Sequence, residues 1–377
     1  PAGTGGSIVS VADYTNTFQT NNLTITPNGS QKIGGLALSV TLSTEGQSVT
    51  LVYVDDTEGW ITVNDSTQNV IGNPFVAATG GTEVTCGNFK THIFTGPGTF
   101  AVSSGGSPSG SNTVDYFVVA GGASAGPSIT GGGGAGGFRV SNSVGCISAP
   151  VMSPLANPSG LSVPAASYPI TVGAGGAGGP SSSAGGVSTF SSITSAGGGN
   201  PGGYGPAGQP GGSGGGGNAA CTPAPERAGG SGNTPPVSPP QGNDGGPSSN
   251  TNTGGGGGGA GAAGTIGNGG TGGTGGSGSY LANSFVGPTA PSYGTSGPVS
   301  STRYFAGGGG GGIRTPGGSE SSPTAGTGGG GYSRANNTGT DATTNTGSGG
   351  GGGNYDGTSR SGGAGGSGIV MIRYKFQ

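Results

Sequence analysis

Six runs of four to six consecutive glycines, at residues 131–134, 214–217, 254–259, 307–312, 328–331 and 349–353, restrict this chain more than any other feature. A glycine run has no side chain to bury, so it cannot contribute to an apolar core. It also loses more backbone freedom on ordering than any other sequence, at the upper end of about 1–2 kcal/mol per residue. Such segments are either disordered or held by backbone hydrogen bonds to other backbones at close range. Collagen is excluded because there is no sustained Gly-X-Y period. The ordered form that remains is the polyproline II helix, with three residues per turn and a rise of about 3.1 Å. It has no internal hydrogen bonds, so neighbouring helices can exchange them. The expectation is a compact bundle of parallel and antiparallel polyglycine helices. Within it Gly254, Gly256, Gly309, Gly310 and Gly351 are structural, because a Cβ there would hold the backbones apart, and Gly309→Val should disrupt the packing.

Glycine supplies 99 of 377 residues, hydrophobic residues 28% and charged residues 6%. Globular chains average about 45–50% apolar and about 25% charged, so a conventional large core is out of reach beyond the first third. Residues 1–103 read as all-β, with short β-rich runs at 7–12, 23–26, 36–42, 48–54, 60–63, 92–95 and 99–103 separated by turn residues. Residues 104–113 form a polar linker, and 114–377 form the glycine-rich domain. That region starts on Asp115-Tyr116-Phe117-Val118-Val119-Ala120 and ends on Ile369-Val370-Met371-Ile372-Arg373-Tyr374. These are its two most strand-like segments, and pairing them would join its start to its end. The proline-rich stretch 235–240 should be a loop outside the bundle. No segment has helical periodicity with caps, so essentially no α-helix is expected.

The formal net charge is −3 with 10 Lys+Arg, and no basic patch stands out, so nucleic acid and anionic membranes are poor partners. No apolar run approaches the roughly 18–20 residues of a membrane span. GxGxxG matches recur because glycine is so frequent, and none lies in a strand–loop–helix context. His92 is the only histidine and lies in a β-rich run, where it reads as structural. Asp55, Asp56 and Glu58 form one compact acidic group, read as a solvated hairpin turn before a calcium site. Cys86, Cys146 and Cys221 lack zinc-finger spacing; they read as three free side chains, with a Cys146–Cys221 bridge as the alternative. Trp60, the only tryptophan, should pack within the N-terminal module. No nucleophile–base pair or metal cluster emerges, so neither enzymatic activity nor a cofactor is expected.

Two blocks carry a family resemblance. The first comprises Val9-Ser10-Val11-Ala12-Asp13-Tyr14, Leu23-Thr24-Ile25, Asn28-Gly29-Ser30 and the stretch from Leu42 through Glu45-Gly46-Gln47 to Asp55, closing at Gly59-Trp60. It resembles a module of marine bacteriophage structural and tail-fibre proteins, and the resemblance implies further strands ahead of Pro1. The second runs from His92-Ile93-Phe94-Thr95-Gly96-Pro97-Gly98-Thr99-Phe100 through Asp115–Gly122 and Tyr168-Pro169-Ile170-Thr171-Val172-Gly173 to Gly368-Ile369-Val370-Met371-Ile372-Arg373-Tyr374. It resembles the glycine-rich domain often fused to that module. The resemblance implies a fibre or adhesin component of the virion that forms homo-oligomers, as trimers or filaments, and meets a host cell-surface glycan or outer-membrane protein. The alternative is a self-assembling extracellular filament or matrix protein. Recognition should reside in the inserts between glycine runs, in particular at Tyr280, Phe285, Tyr293 and Tyr332, because aromatic side chains give contact area at low entropy cost.

Overall fold

The computed structural model describes residues 2–66, 75–106, 110–202, 207–219, 226–249, 252–314 and 323–377. It divides into two compact units, residues 1–72 and 73–377. In the first, strand Ser48–Tyr53 lies between Ile8–Ala12 and Trp60–Asp65, both antiparallel to it, and Leu23–Ile25 pairs with Val40–Leu42. Alternation along Ser48–Tyr53 sends Val49, Leu51 and Tyr53 to a small core with Leu42 and Trp60. Trp60 packs there as expected, edge-on to Tyr53 at 5.4 Å, and its indole N–H donates to Gln31 Oε1 at 3.3 Å.

The second unit begins earlier than the sequence reading placed it. Strands Val76–Thr79 and Gly98–Gly105 join a five-stranded sheet with Ala166–Thr171, Ser188–Phe190 and Ile193–Ser195. Thr82–Cys86 and Phe89–Phe94 enter the sheet of the glycine-rich region. The expected pairing of the region's two ends is present: Thr113–Val119 runs antiparallel to Ile369–Lys375, from Asp115↔Arg373 to Val119↔Ile369. Ile369–Lys375 pairs on its other edge with Phe89–Phe94. Both faces of this central pair are buried. Phe117, Val119, Ile369 and Met371 face one apolar core, and Val114, Tyr116, Val118, Val370, Ile372 and Tyr374 face another.

Between these strands the glycine runs form no pleated ladder. Their hydrogen bonds rotate through three directions. Along residues 254–260, the amides of Gly254, Gly257 and Ala260 donate to Gly312, Gly309 and Ala306; those of Gly255 and Gly258 to Gly217 and Gly214; those of Gly256 and Gly259 to Thr265 and Ala262. Along 120–125 the acceptors cycle in the same way, Gly137, Gly186, Gly366, then Gly134, Ser183, Gly363. Neighbours run both antiparallel and parallel; Gly132 and Ala135 donate to Gly255 and Gly258 in parallel register. Every third residue thus meets the same neighbour, and each run sits among several others.

Residue type follows position in this array. The uninterrupted runs 254–259, 307–312 and 349–353 are buried along their whole length. At 271–278 the sequence is TGGTGGSG, and Thr271, Thr274 and Ser277 are exposed or half-buried while the glycines between them are buried. The same spacing recurs at Ser361, Ala364 and Ser367 and at Ala174 and Ala177. Short triplets therefore do exist, confined to outer rows. Among the described residues, helix is limited to one turn, Asn283–Val286, and a 3-10 turn, Ala290–Ser292. No helix among the described residues is long and apolar enough to cross a membrane.

Candidate functional site at the far end of the glycine bundle

The directions of the runs sort their connections into two groups. Strands Thr113–Val119, Phe138–Ser141, Ala166–Thr171, Ser279–Ala282, Thr302–Phe305 and Ile369–Lys375 all adjoin one end of the bundle. The other ends of the same runs meet away from the sheets. There Gly353 N donates to Gly126 O (3.1 Å), Gly312 N to Thr130 O (2.7 Å), Gly254 N to Gly312 O (2.8 Å), Arg314 N to Asn252 O (2.8 Å) and Ser128 N to Arg360 O (3.1 Å).

Three of these connections converge on Asn354, whose side chain is fully buried. Its Oδ1 accepts from Ile313 N at 2.8 Å and from Ser333 Oγ at 2.6 Å. Its Nδ2 donates to the carbonyls of Arg334 and, at 3.2 Å, Asn337. A buried amide satisfied on both ends fixes the segments it joins. Those segments carry two guanidinium–tyrosine contacts: Arg314 over Tyr355 at 5.7 Å and Arg334 over Tyr332 at 4.9 Å, where Arg334 also donates to the Tyr332 hydroxyl. Arg314, Tyr332 and Arg334 are exposed. Among the described residues neither Arg314 nor Arg334 has a carboxylate within ion-pair distance, whereas Arg360 is paired with Asp356 at 2.8 Å. The Arg360 hydrogen bonds, followed by the Thr358 amide, hold the Asp356 carboxyl below the usual carboxylate range.

The aromatic residues chosen from sequence do not form one surface. Phe285 is fully buried in the apolar core, on the single helical turn, with the Arg373 guanidinium 5.6 Å from its ring. It is therefore a core residue, not a contact residue. Tyr293 packs against the same core, and its carbonyl accepts from Arg303 Nε at 2.6 Å. Tyr280 is half-buried in Ser279–Ala282, at the sheet end, with its ring 5.1 Å from Tyr304; burial pushes its hydroxyl pKa up. Only Tyr332, 39% exposed, reaches the far-end cluster. Tyr204 lies outside the described residues.

The structural glycines also divide. A Cβ added at Gly254, Gly256, Gly309 or Gly351 would lie 2.4, 2.0, 2.0 or 2.3 Å from a neighbouring carbonyl oxygen. At Gly310 the nearest atom is 3.2 Å away, so this position is less constrained than expected. The proline stretch 235–240 is a mostly exposed loop, as anticipated.

The remaining candidates are engaged in structure. His92 is buried; its Nδ1–H donates to Gly80 O at 2.6 Å, leaving Nε2 to accept from the Tyr374 hydroxyl at 2.9 Å. Burial depresses its pKa and pushes that of Tyr374 up to about 12. Asp55 Oδ1 accepts from the amides of Thr57 and Glu58, both at 2.8 Å, which closes the turn on itself. Cys86 and Cys146 are free thiols, so Cys146 is not bridged; Cys221 lies outside the described residues. Among the described residues no three His, Cys, Asp or Glu side chains are grouped to hold a metal ion.

Sequence reasoning missed Arg314, Arg334, Asn354 and Tyr355. The signal was available. In a region almost without charge, each of the runs 307–312, 328–331 and 349–353 is followed within three residues by an arginine or a tyrosine.

A family model described as a glycine-rich domain matches residues 95–375. A search of curated proteins found no match to the chain.

Proposed function

Because the chain belongs to the glycine-rich domain family, we propose that it is a non-enzymatic display scaffold, the fibre or adhesin component of a bacteriophage, in which a bundle of polyglycine II helices holds connecting segments out for contact with a host surface. The observation that carries this reading is the sorting of connections: the strands gather at one end of the bundle, and the far end consists of turns and inserts built around Asn354. The three-direction hydrogen-bond cycle supports the helix type, since three residues per turn is the polyproline II repeat. Loops on a rigid scaffold are the usual seat of recognition. The experiment attaches a bulky label at either end through an introduced cysteine, Thr358→Cys at the far end or Ser238→Cys in the proline loop. Far-end labelling should abolish host-cell adsorption, and proline-loop labelling should spare it; the reverse result removes the far end from recognition.

Self-association accompanies this reading. The first unit exposes Ile8 (66%), Leu36 (60%), Leu38 (64%) and Val63 (57%) around a small core, apolar side chains that burial against a second copy would cover. This also suits the alternative of an extracellular filament. Electron microscopy separates the two: fibres on a tailed particle support the virion component, and free continuous filaments support the alternative.

A further inference from the structure

The far-end cluster has the chemistry of an acidic-sugar site, and we infer that Arg314, Tyr332, Arg334 and Tyr355 form a binding surface for an anionic polysaccharide bearing carboxylate or sulfate groups. This rests on the reading of the far end as the recognition end and names its ligand class.

Charge is the first argument. Lys and Arg total 10 in the chain against 13 Asp and Glu. Arg227, Arg314, Arg334 and Arg360 all sit at this end, accompanied among the described residues by Glu226 and Asp356. Among the described residues, four cations less two carboxylates leave an excess of two positive charges, in a chain whose formal charge is −3; Glu320, in the connection that follows Arg314, lies outside the described residues. That excess falls on Arg314 and Arg334, because Asp356 is taken by Arg360.

Geometry is the second. A guanidinium resting against a tyrosine ring is restrained in position; Arg334 also donates to the Tyr332 hydroxyl, and its other N–H groups remain for a ligand. Its planar fork then matches a carboxylate or sulfate in two parallel hydrogen bonds. The tyrosine supplies a rigid face for the C–H side of a sugar ring. Two such pairs lie on segments that the buried Asn354 ties together, with Ile313 and Ser333 each adjoining one of the arginines. Preorganisation of this kind lowers the ordering cost of binding.

Nucleic acid fits less well. Its affinity comes mainly from neutralising many phosphates, and among the described residues only two guanidinium groups here lack a carboxylate partner. Acidic polysaccharides carry charge at the spacing of whole sugar units.

The test measures binding of the full-length protein to alginate oligosaccharides, dextran sulfate, neutral dextran and a single-stranded oligonucleotide. Wild-type protein should bind at least one of the two polyanions and not neutral dextran, with affinity falling as salt rises because the charges are exposed. Arg314→Gln and Arg334→Gln should each weaken binding about fivefold and the double variant about thirtyfold, with an unchanged melting temperature. Arg334→Lys should fall between, since it keeps the charge and loses the fork. Undiminished binding by the double variant, no polyanion binding by wild type, or tighter binding of the oligonucleotide would overturn the inference. If the far-end label still blocks adsorption in those cases, the recognition end stands and only its ligand class is wrong. If that label has no effect, the recognition reading itself fails.

Discussion

The close packing of glycine backbones can be tested at two adjacent residues. A methyl group at Gly309 would place its carbon 2.0 Å from Gly350 O, 2.7 Å from Gly350 C and 3.1 Å from Gly133 N. The oxygen alone falls about 1.4 Å short of the 3.4 Å at which ordinary contact begins. Restoring that distance means separating the runs, and four bonds are in the way: Gly309 N→Gly133 O (2.9 Å), Gly257 N→Gly309 O (2.8 Å), Gly350 N→Ala123 O (2.9 Å) and Gly133 N→Gly350 O (2.9 Å). Overpacking costs about 1–3 kcal/mol, and each buried amide or carbonyl left unpaired adds about 1–3 kcal/mol. Gly309→Ala should therefore destabilise by about 4–6 kcal/mol. At Gly310 the nearest atoms are Pro323 O at 3.2 Å, Thr324 O at 3.3 Å and Pro323 Cγ at 3.5 Å. A slight displacement suffices there, and replacing glycine narrows the unfolded ensemble by about 0.4–1 kcal/mol, so Gly310→Ala should be nearly neutral. The assay is thermal and urea unfolding of both variants beside wild type. With a shift of about 2–3 °C per kcal/mol for a unit of this size, the first should melt roughly 8–18 °C lower and the second within about 2 °C. Equal shifts at the two positions would refute the claim that contact between runs, rather than loss of glycine itself, sets the tolerance.

Arg373→Met should cost about 3–5 kcal/mol in urea unfolding, because it strands the buried Asp115, 3.9 Å away, without its counter-charge; a loss under 1 kcal/mol would show that the Ser141, Ser143 and Val144 donors alone satisfy that carboxylate. Burial lowers the pKa of His92 below its ordinary 6.5, so below pH 6.5 the unfolded chain takes up a proton that the folded one refuses. Stability should then fall with falling pH, by up to about 1.4 kcal/mol per unit, and melting curves of His92→Gln between pH 7.5 and 5.5 should lack that slope. Phe285→Ala should lose about 3–5 kcal/mol and Tyr332→Ala under about 0.5 kcal/mol; similar melting temperatures for the two would return Phe285 to the surface.

What could be read from sequence depended on whether a segment's partner was visible in its own composition. The pairing of Thr113–Val119 with Ile369–Lys375 was legible because these are the only long apolar strands in a region poor in side chains. The bonding of glycine runs to one another followed from their having nothing else to bond. The boundary between units was not legible. Phe89–Phe94 resembles the short strands before it, and the strand that claims it, Ile369–Lys375, lies more than 270 residues further on. Phe285 was misread because Asn283, Ser284, Gly287 and Pro288 around it look like an exposed insert, whereas the fold buries it in one core with Phe117, Phe305 and Met371. The far-end cluster stayed hidden for a related reason. Asn354, Ser333 and Ile313 are ordinary residues one at a time, and their meeting depends on the directions of runs that share no sequence signal for register.

The outer rows have a consequence for the size of the assembly. A lattice of identical backbones has no intrinsic boundary, and each added run offers the next a fresh face, as in a growing crystallite. Thr271, Thr274 and Ser277 close one such face, Ser361, Ala364 and Ser367 a second, and Ala174 and Ala177 a third. A Cβ in each outward position keeps a further glycine backbone at arm's length, by the same exclusion that keeps side chains out of the uninterrupted runs. A methyl or hydroxymethyl group on every third residue is thus enough to make a repetitive material terminate as a molecule of defined width.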